Sequence, residues 1–129
     1  MKPVLLDTHI WIWLSIGDME SLSEMAQKTI AGRTRWISAI SCWELAKLVE
    51  KGRLGFTIPT LTWIRRALNE NQIRIADLTP EIAVASSELQ GFHPDPADQI
   101  IVATARVLGM PLVTADQRII GFKGVEAIW

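Results

Sequence analysis

Val4-Leu5-Leu6-Asp7-Thr8 sets three large apolar side chains in a row and then stops at an acid. With no polar residue between them, both faces of the segment need cover. A strand buried on both faces belongs in a parallel sheet packed between helices, whereas a strand with one wet face would alternate. The pattern returns at Leu112-Val113-Thr114-Ala115-Asp116. Further strand candidates are Arg35-Trp36-Ile37, Ile73-Arg74-Ile75-Ala76 and Val125-Glu126-Ala127-Ile128. Helical signals fill the gaps. An apolar, Trp-rich stretch runs from Ile10 to Ile16, and a helix with a Ser cap runs from Ser21 to Ala31, closed by Gly32. Ser38 to Lys51 is amphipathic and stopped by Gly52, and Thr60 to Glu70 follows Pro59. Thr79-Pro80 opens a helix to about Leu89, and Asp95-Pro96 opens one to Leu108, ended by Gly109. Caps, first-turn prolines and closing glycines bound these segments. Asp116 to Ile120 reads as a short turn or helix. Strands alternating with helices predict right-handed βαβ units and an α/β fold with a mainly parallel sheet. Such folds bind ligands beyond the carboxyl ends of the strands, where strand order reverses.

The chain has 129 residues, 49% of them hydrophobic, which suits one ordinary domain over residues 1–129 and excludes disorder as its main state. Lys plus Arg number 13 and Asp plus Glu 14, a net charge of -1. A wholesale basic surface is excluded, so any nucleic-acid contact needs a local patch. Cys42 is the single cysteine, which excludes an intrachain disulfide and the usual thiolates of structural zinc and points to a reducing compartment. No apolar run approaches the roughly 18 residues of a membrane span. Met1 to Asp7 meets an acid too early for a secretion signal. The expected location is cytoplasmic.

Four acids fall where this fold gathers ligands. Asp7 and Asp116 follow strands, Glu44 lies near the start of the helix after the second strand, and Asp98 lies in the first turn of the helix from Pro96. Helices after parallel strands begin at the edge where those strands end, so the four can converge. Each also has a local explanation. Asp7 can cap a helix from Thr8, Ser41-Cys42-Trp43-Glu44 fits a capping box, Asp95 pairs with Asp98 in a similar box, and Asp116 can cap the segment after it. Caps crowded at one edge, however, bring like charges together, which disfavours their ionisation. A divalent cation relieves that repulsion. Hard oxygen donors suit Mg²⁺ or Mn²⁺, and such a centre supports in-line attack of water on a phosphodiester.

Four stretches, in this order, carry a resemblance. They are Leu5-Leu6-Asp7-Thr8-His9, Ser38-Ala39-Ile40-Ser41-Cys42-Trp43-Glu44-Leu45-Ala46, Asp95-Pro96-Ala97-Asp98-Gln99-Ile100-Ile101-Val102-Ala103-Thr104-Ala105 and Gly109-Met110-Pro111-Leu112-Val113-Thr114-Ala115-Asp116. Over essentially the whole chain the sequence resembles a PIN domain, and within that family a VapC-type ribonuclease toxin of type II toxin–antitoxin pairs. The resemblance implies a three-layer α/β/α fold and Mg²⁺- or Mn²⁺-dependent cleavage of single-stranded RNA. It also implies a homodimer and a small VapB-like antitoxin that blocks the acidic cleft. By position in the motifs, Asp7, Glu44, Asp98 and Asp116 match the family's acids. Asp7 and Asp98 would hold a metal, Asp116 would tune the charge or hold a second metal, and Glu44 would orient or deprotonate the attacking water. Thr114, Thr8 and Asp95 match supporting positions, Asp95 being three residues too early for the third acid itself.

The remaining polar and aromatic residues carry two readings each. Glu44, Lys47 and Lys51 share one helix face at i, i+3 and i+7, with Arg53 just beyond. The basic residues either lead RNA phosphates toward the acids or form a solvated face with weak ion pairs. His9 beside Asp7 reads as a packing or hydrogen-bonding residue, and His93 as a loop residue within reach of substrate. Cys42, in an apolar turn with no adjacent cation, reads as inert. Trp11, Trp13 and Trp43 read as core or subunit-interface residues ahead of base-stacking ones. The rival reading is a noncatalytic module, either receiver-like on a doubly wound fold or a degenerate PIN domain. A receiver usually has an acidic pair after the first strand and a lysine after a late one. Asp7-Thr8 and Thr114-Ala115-Asp116 depart from both.

Overall fold

A computed structural model describes residues 2–129. Among them the sheet has five strands: β1 (Val4–Leu6), β2 (Arg35–Ser38), β3 (Ile73–Ala76), β4 (Leu112–Val113) and β5 (Ala127–Ile128). Their order is β3-β2-β1-β4-β5 and every pairing is parallel. The expected parallel sheet is therefore present, and its winding reverses between β1 and β4. Leu5 pairs with Trp36 on one side and Leu112 on the other, so β1 is central.

Burial of β1 on both faces explains its unbroken apolar run. Val4, Leu5 and Leu6 are all fully buried. Val4 and Leu6 pack with Ile10, Trp11 and Ile12 of α1 (Thr8–Ile16), Ala26 and Ile30 of α2 (Glu24–Ile30), Leu45 of α3 (Ala39–Glu50), and Ile64 and Ala67 of α4 (Thr60–Glu70). Leu5 faces the opposite way, onto Ile101, Val102 and Ala105 of α6 (Pro96–Leu108) and Ile119 of α7 (Gln117–Ile120). The fifth helix, α5 (Pro80–Ser87), packs on α6. The result is an α/β/α sandwich. Gly109 ends α6 with φ +66°, a left-handed conformation that glycine adopts without the Cβ penalty. No helix of the described residues is long and apolar enough to cross a membrane.

Several boundaries differ from the sequence reading, each for a local reason. Ser21 does not open a helix, because the Asp18 carboxylate accepts hydrogen bonds from its hydroxyl (2.6 Å) and its N–H (3.3 Å) and folds Met19–Ser21 into a 3₁₀ turn. The cap of α2 is Ser23, whose Oγ accepts from Ala26 N at 3.0 Å. The next helix is capped by Ser38, not by Ser41. α5 stops at Ser87, short of Leu89, where the hydroxyls of Ser86 and Ser87 donate back to the carbonyls of Ala83 and Val84. β5 is shorter than the strand expected over Val125 to Ile128. Trp43 is not a core residue, since it is 53% exposed, whereas Trp11 is fully buried.

Two-sided burial of β1 predicts that Leu5→Ala and Leu6→Ala each destabilise by roughly 2–5 kcal/mol, because each removes a packed side chain from a different layer. Urea unfolding of the two variants measures this. A near-neutral result for either would mean that its layer does not close on the sheet.

Candidate metal centre

The reversal between β1 and β4 places two acids at one point. Asp7 follows β1, and its N–H donates to Val113 O at 3.0 Å, so the ladder carries it against β4. Asp116 follows β4 and caps α7, its Oδ1 accepting from Arg118 N at 2.9 Å. Asp98 lies in the first turn of α6, where Asp95 Oδ1 accepts from its N–H at 3.0 Å. Glu44 stands in α3. The local capping roles expected for Asp7, Asp95 and Asp116 are therefore real, and they coexist with convergence. Asp7, Glu44, Asp95, Asp98 and Asp116 line one cavity of about 410 Å³ together with Thr8, His9 and Arg118.

A hydroxyl network fixes these carboxylates. Asp7 Oδ1 accepts from Thr8 N at 2.8 Å and Oδ2 from the Thr114 hydroxyl at 2.7 Å. Thr114 is fully buried beneath the cavity and accepts from Asp116 N at 3.1 Å, tying the two acids together. The Thr8 hydroxyl donates to Glu44 Oε1 at 2.5 Å. Its single proton being spent there, the buried Ser41 hydroxyl, 2.8 Å away, is the donor to Thr8. Ser41 is a supporting residue that its resemblance to a helix cap disguised.

Beside the acids, a second cavity of about 370 Å³ is bordered by Lys47, Lys51, Arg53 and Trp43 and shares Thr8, His9, Glu44 and Asp95 with the first. The three basic residues thus sit next to the acids. Lys47 also pairs with Glu50 at 3.3 Å and stands 5.8 Å from the Trp43 ring centroid, so the ion-pair reading holds for that side chain as well. His9 packs against Trp13, ring centroids 6.0 Å apart. The Cys42 thiol is pushed up by burial, in keeping with an unreactive residue.

Two residues matter more than their sequence context suggested. Arg118 Nη2 lies 3.1 Å from Asp116 Oδ2 and 3.8 Å from Asp98 Oδ2, a cation at the rim of the cavity. Its signal was its place two residues after Asp116. His93 Nε2, in the loop before α6, lies 3.2 Å from Asp98 Oδ2. His93 Nε2, one Asp98 oxygen and one Asp116 oxygen all fall within 4.8 Å of one another. Donors sharing one octahedral cation are spaced about 3 to 4.3 Å apart, from bond lengths near 2.1 Å. One imidazole and two carboxylates this close are donor types that a divalent cation accepts, and a closure of a few tenths of an ångström brings the 4.8 Å limit into that range.

Electrostatics agree. Burial pushes the Asp98 carboxyl up to about 7, aided by the charges of Asp7, Asp95, Glu44 and Asp116. Burial raises Asp7 too, against the lowering hydrogen bonds from Thr114 and Thr8. Glu44 is raised chiefly by burial, against the Thr8 hydrogen bond and with help from Asp7 and Asp95. Burial also works to raise Asp116, but the hydrogen bonds and charge of Arg118 outweigh it and hold this acid below the usual range. In metal-free protein, then, Asp98 is more easily protonated folded than unfolded. Its contribution to stability is complete below its ordinary value of 3.8 and is lost as pH rises through about 7. In EDTA the wild-type Tm is expected to fall between pH 5 and pH 8, and Asp98→Asn to flatten that slope and melt higher at pH 8. Parallel Tm profiles for the two proteins would refute the repulsion.

The PIN domain family profile matches residues 4–125. Ribonuclease VapC22 of Mycobacterium tuberculosis is 37% identical over 121 residues, covering 92% of this chain and 91% of its own. Two solved structures share the fold. VapBC from Salmonella typhimurium bound to DNA has a TM-score of 0.69 at 19% identity, with 98% of this chain and 97% of that one covered. VapBC2 from Rickettsia felis, bound to a DNA fragment from its promoter, has a TM-score of 0.67 at 18% identity, with 96% of each covered. A cavity ringed by acids and a profile match over residues 4–125 agree, and the chain belongs to the PIN-domain family as a VapC-type member.

Proposed function

We propose that this protein is a Mg²⁺- or Mn²⁺-dependent endoribonuclease that cleaves single-stranded RNA and serves as the toxin of a toxin–antitoxin pair. One observation carries the reading: Asp7, Glu44, Asp98 and Asp116 meet around one cavity at the strand-order reversal. The 37% identity to a ribonuclease supports the reaction class. VapBC neighbours support a VapB-like antitoxin partner, and a homodimer and a cytoplasmic location go with that reading. The whole of residues 1–129 forms one PIN domain.

In this reading Asp7 and Asp98 hold the cation together with Asp116, the Asp7 carboxylate being oriented by Thr114. When bound, a divalent cation lowers the pKa of an attacking water and stabilises charge on the scissile phosphate. Glu44 orients that water and takes its proton, its carboxylate aimed by the Thr8–Ser41 hydroxyl relay. The raised Glu44 suits the role, since a base is most effective with a pKa near the working pH. Asp95 keeps Asp98 at the mouth of α6 through its cap. Lys47, Lys51 and Arg53 bind RNA phosphates leading to Glu44, and the exposed Trp43 ring offers a base-stacking face beside them. Pairing of an acidic pocket with a short basic track explains how a chain of net charge -1 handles RNA.

Purified, antitoxin-free protein is expected to cleave a mixed RNA pool with Mn²⁺ or Mg²⁺ and not with EDTA. Asp7→Asn and Asp98→Asn are expected to lose at least about 100-fold in rate while staying folded, the scale of a lost acid–base or metal-holding group. Equal cleavage by wild type and both variants would sink the site. Anisotropy titrations in EDTA should show Lys47→Ala and Lys51→Ala each weakening RNA binding and reducing the log–log salt slope by about 0.7, one single-strand phosphate contact per lysine. An unchanged slope would return both lysines to a solvated face.

A further inference from the structure

We propose that His93 is a direct metal ligand and makes this centre prefer Mn²⁺ to Mg²⁺, an inference that rests on the metal-dependent reading above. Its Nε2 is sealed from solvent yet has no hydrogen-bond partner. Asp98 Oδ2 is only 3.2 Å away, but the N–H direction of the ring does not meet it, so the contact is not a hydrogen bond. A buried polar nitrogen without a partner is costly, and native structures seldom keep one without a use. The nitrogen and one oxygen each of Asp98 and Asp116 instead lie within 4.8 Å of one another, near enough to converge on one ion.

The surroundings hold the ring in place before any ligand arrives. The Phe92 ring centroid is 4.4 Å from that of His93 and 5.0 Å from Phe122, and the Gln99 side-chain amide of α6 donates to His93 O at 3.3 Å. The loop is thus tied to the same helix that carries Asp98. The His93 side chain itself is only 16% exposed, so its nitrogen faces Asp98 rather than bulk water. One imidazole with two carboxylates is a mixed nitrogen–oxygen set. Mg²⁺ takes oxygen donors almost exclusively, whereas imidazole suits first-row transition metals. Between the two cations that the acids alone would accept, the nitrogen favours Mn²⁺.

Electron spin-echo spectroscopy of bound Mn²⁺ tests this, because a directly bound imidazole nitrogen modulates the echo. The chain has two histidines, so tag-free protein leaves only His9 and His93 as imidazole sources. Modulation is expected in wild type and His9→Gln and is expected to vanish in His93→Gln, with Mn²⁺ affinity falling at least about tenfold and Mg²⁺ affinity changing less. Should His93→Gln misfold, ¹⁵N-histidine labelling of His9→Gln reads the same bond without touching His93, through the change from ¹⁴N to ¹⁵N frequencies. Bound Mn²⁺ without imidazole modulation, or modulation that survives in folded His93→Gln, overturns the inference and leaves the ribonuclease standing. No Mn²⁺ binding at all overturns the metal centre and His93 with it.

Discussion

The hydroxyl of Thr114 donates to the carboxylate of Asp7 across the line where the sheet reverses its winding, joining the ends of β1 and β4. Much else follows from it. It turns one oxygen of a half-buried, hard-to-ionise acid toward β4, and the same Thr114 oxygen accepts from the backbone of Asp116. Two acids from opposite halves of the chain are thereby set in one frame. The helices contribute the rest: α6 brings Asp98 and α3 brings Glu44, each near the end of a strand because parallel strands hand over to helices there.

The cavity this builds is overcharged by design of its chemistry. Five carboxylates line it, and Arg118 is the one cation on its rim among the described residues that line it. Arg118 pulls Asp116 toward its ionised form, while burial pushes Asp7, Glu44 and Asp98 the other way. Those three carboxyls hold protons more tightly in the folded chain than in the unfolded one, and a divalent cation would take the protons' place. The neighbouring cavity has the opposite character, with Lys47, Lys51 and Arg53 along its border. A polyanion drawn to the basic end arrives at the acidic one.

The sheet was legible because β1 and β4 are unbroken apolar runs, and only two-sided burial explains such runs in short strands. The acids were legible because strand ends and helix starts mark one edge of a parallel sheet. Reading each acid as a cap or as part of a site proved a false choice, since Asp7, Asp95 and Asp116 cap helices while lining the cavity. Three-dimensional relations escaped. Ser41 reads as a helix-start residue, and only the crossing of α1 and α3 brings its hydroxyl to Thr8. Arg118 and His93 act through the space they reach rather than through a sequence pattern. Ser21 misled because a nearer carboxylate, Asp18, captured it before it could cap.

The Thr114–Asp7 bond joins residues 107 positions apart. Contacts of such separation form late, after the intervening chain has closed its loop. During synthesis the N-terminal strand leaves the ribosome long before Thr114 and Asp116 exist, so Asp7 waits without its partners. A growing chain therefore has no complete centre to turn on the RNA being translated. Full assembly of the acids therefore requires nearly the whole chain, since Thr114 and Asp116 lie close to its end.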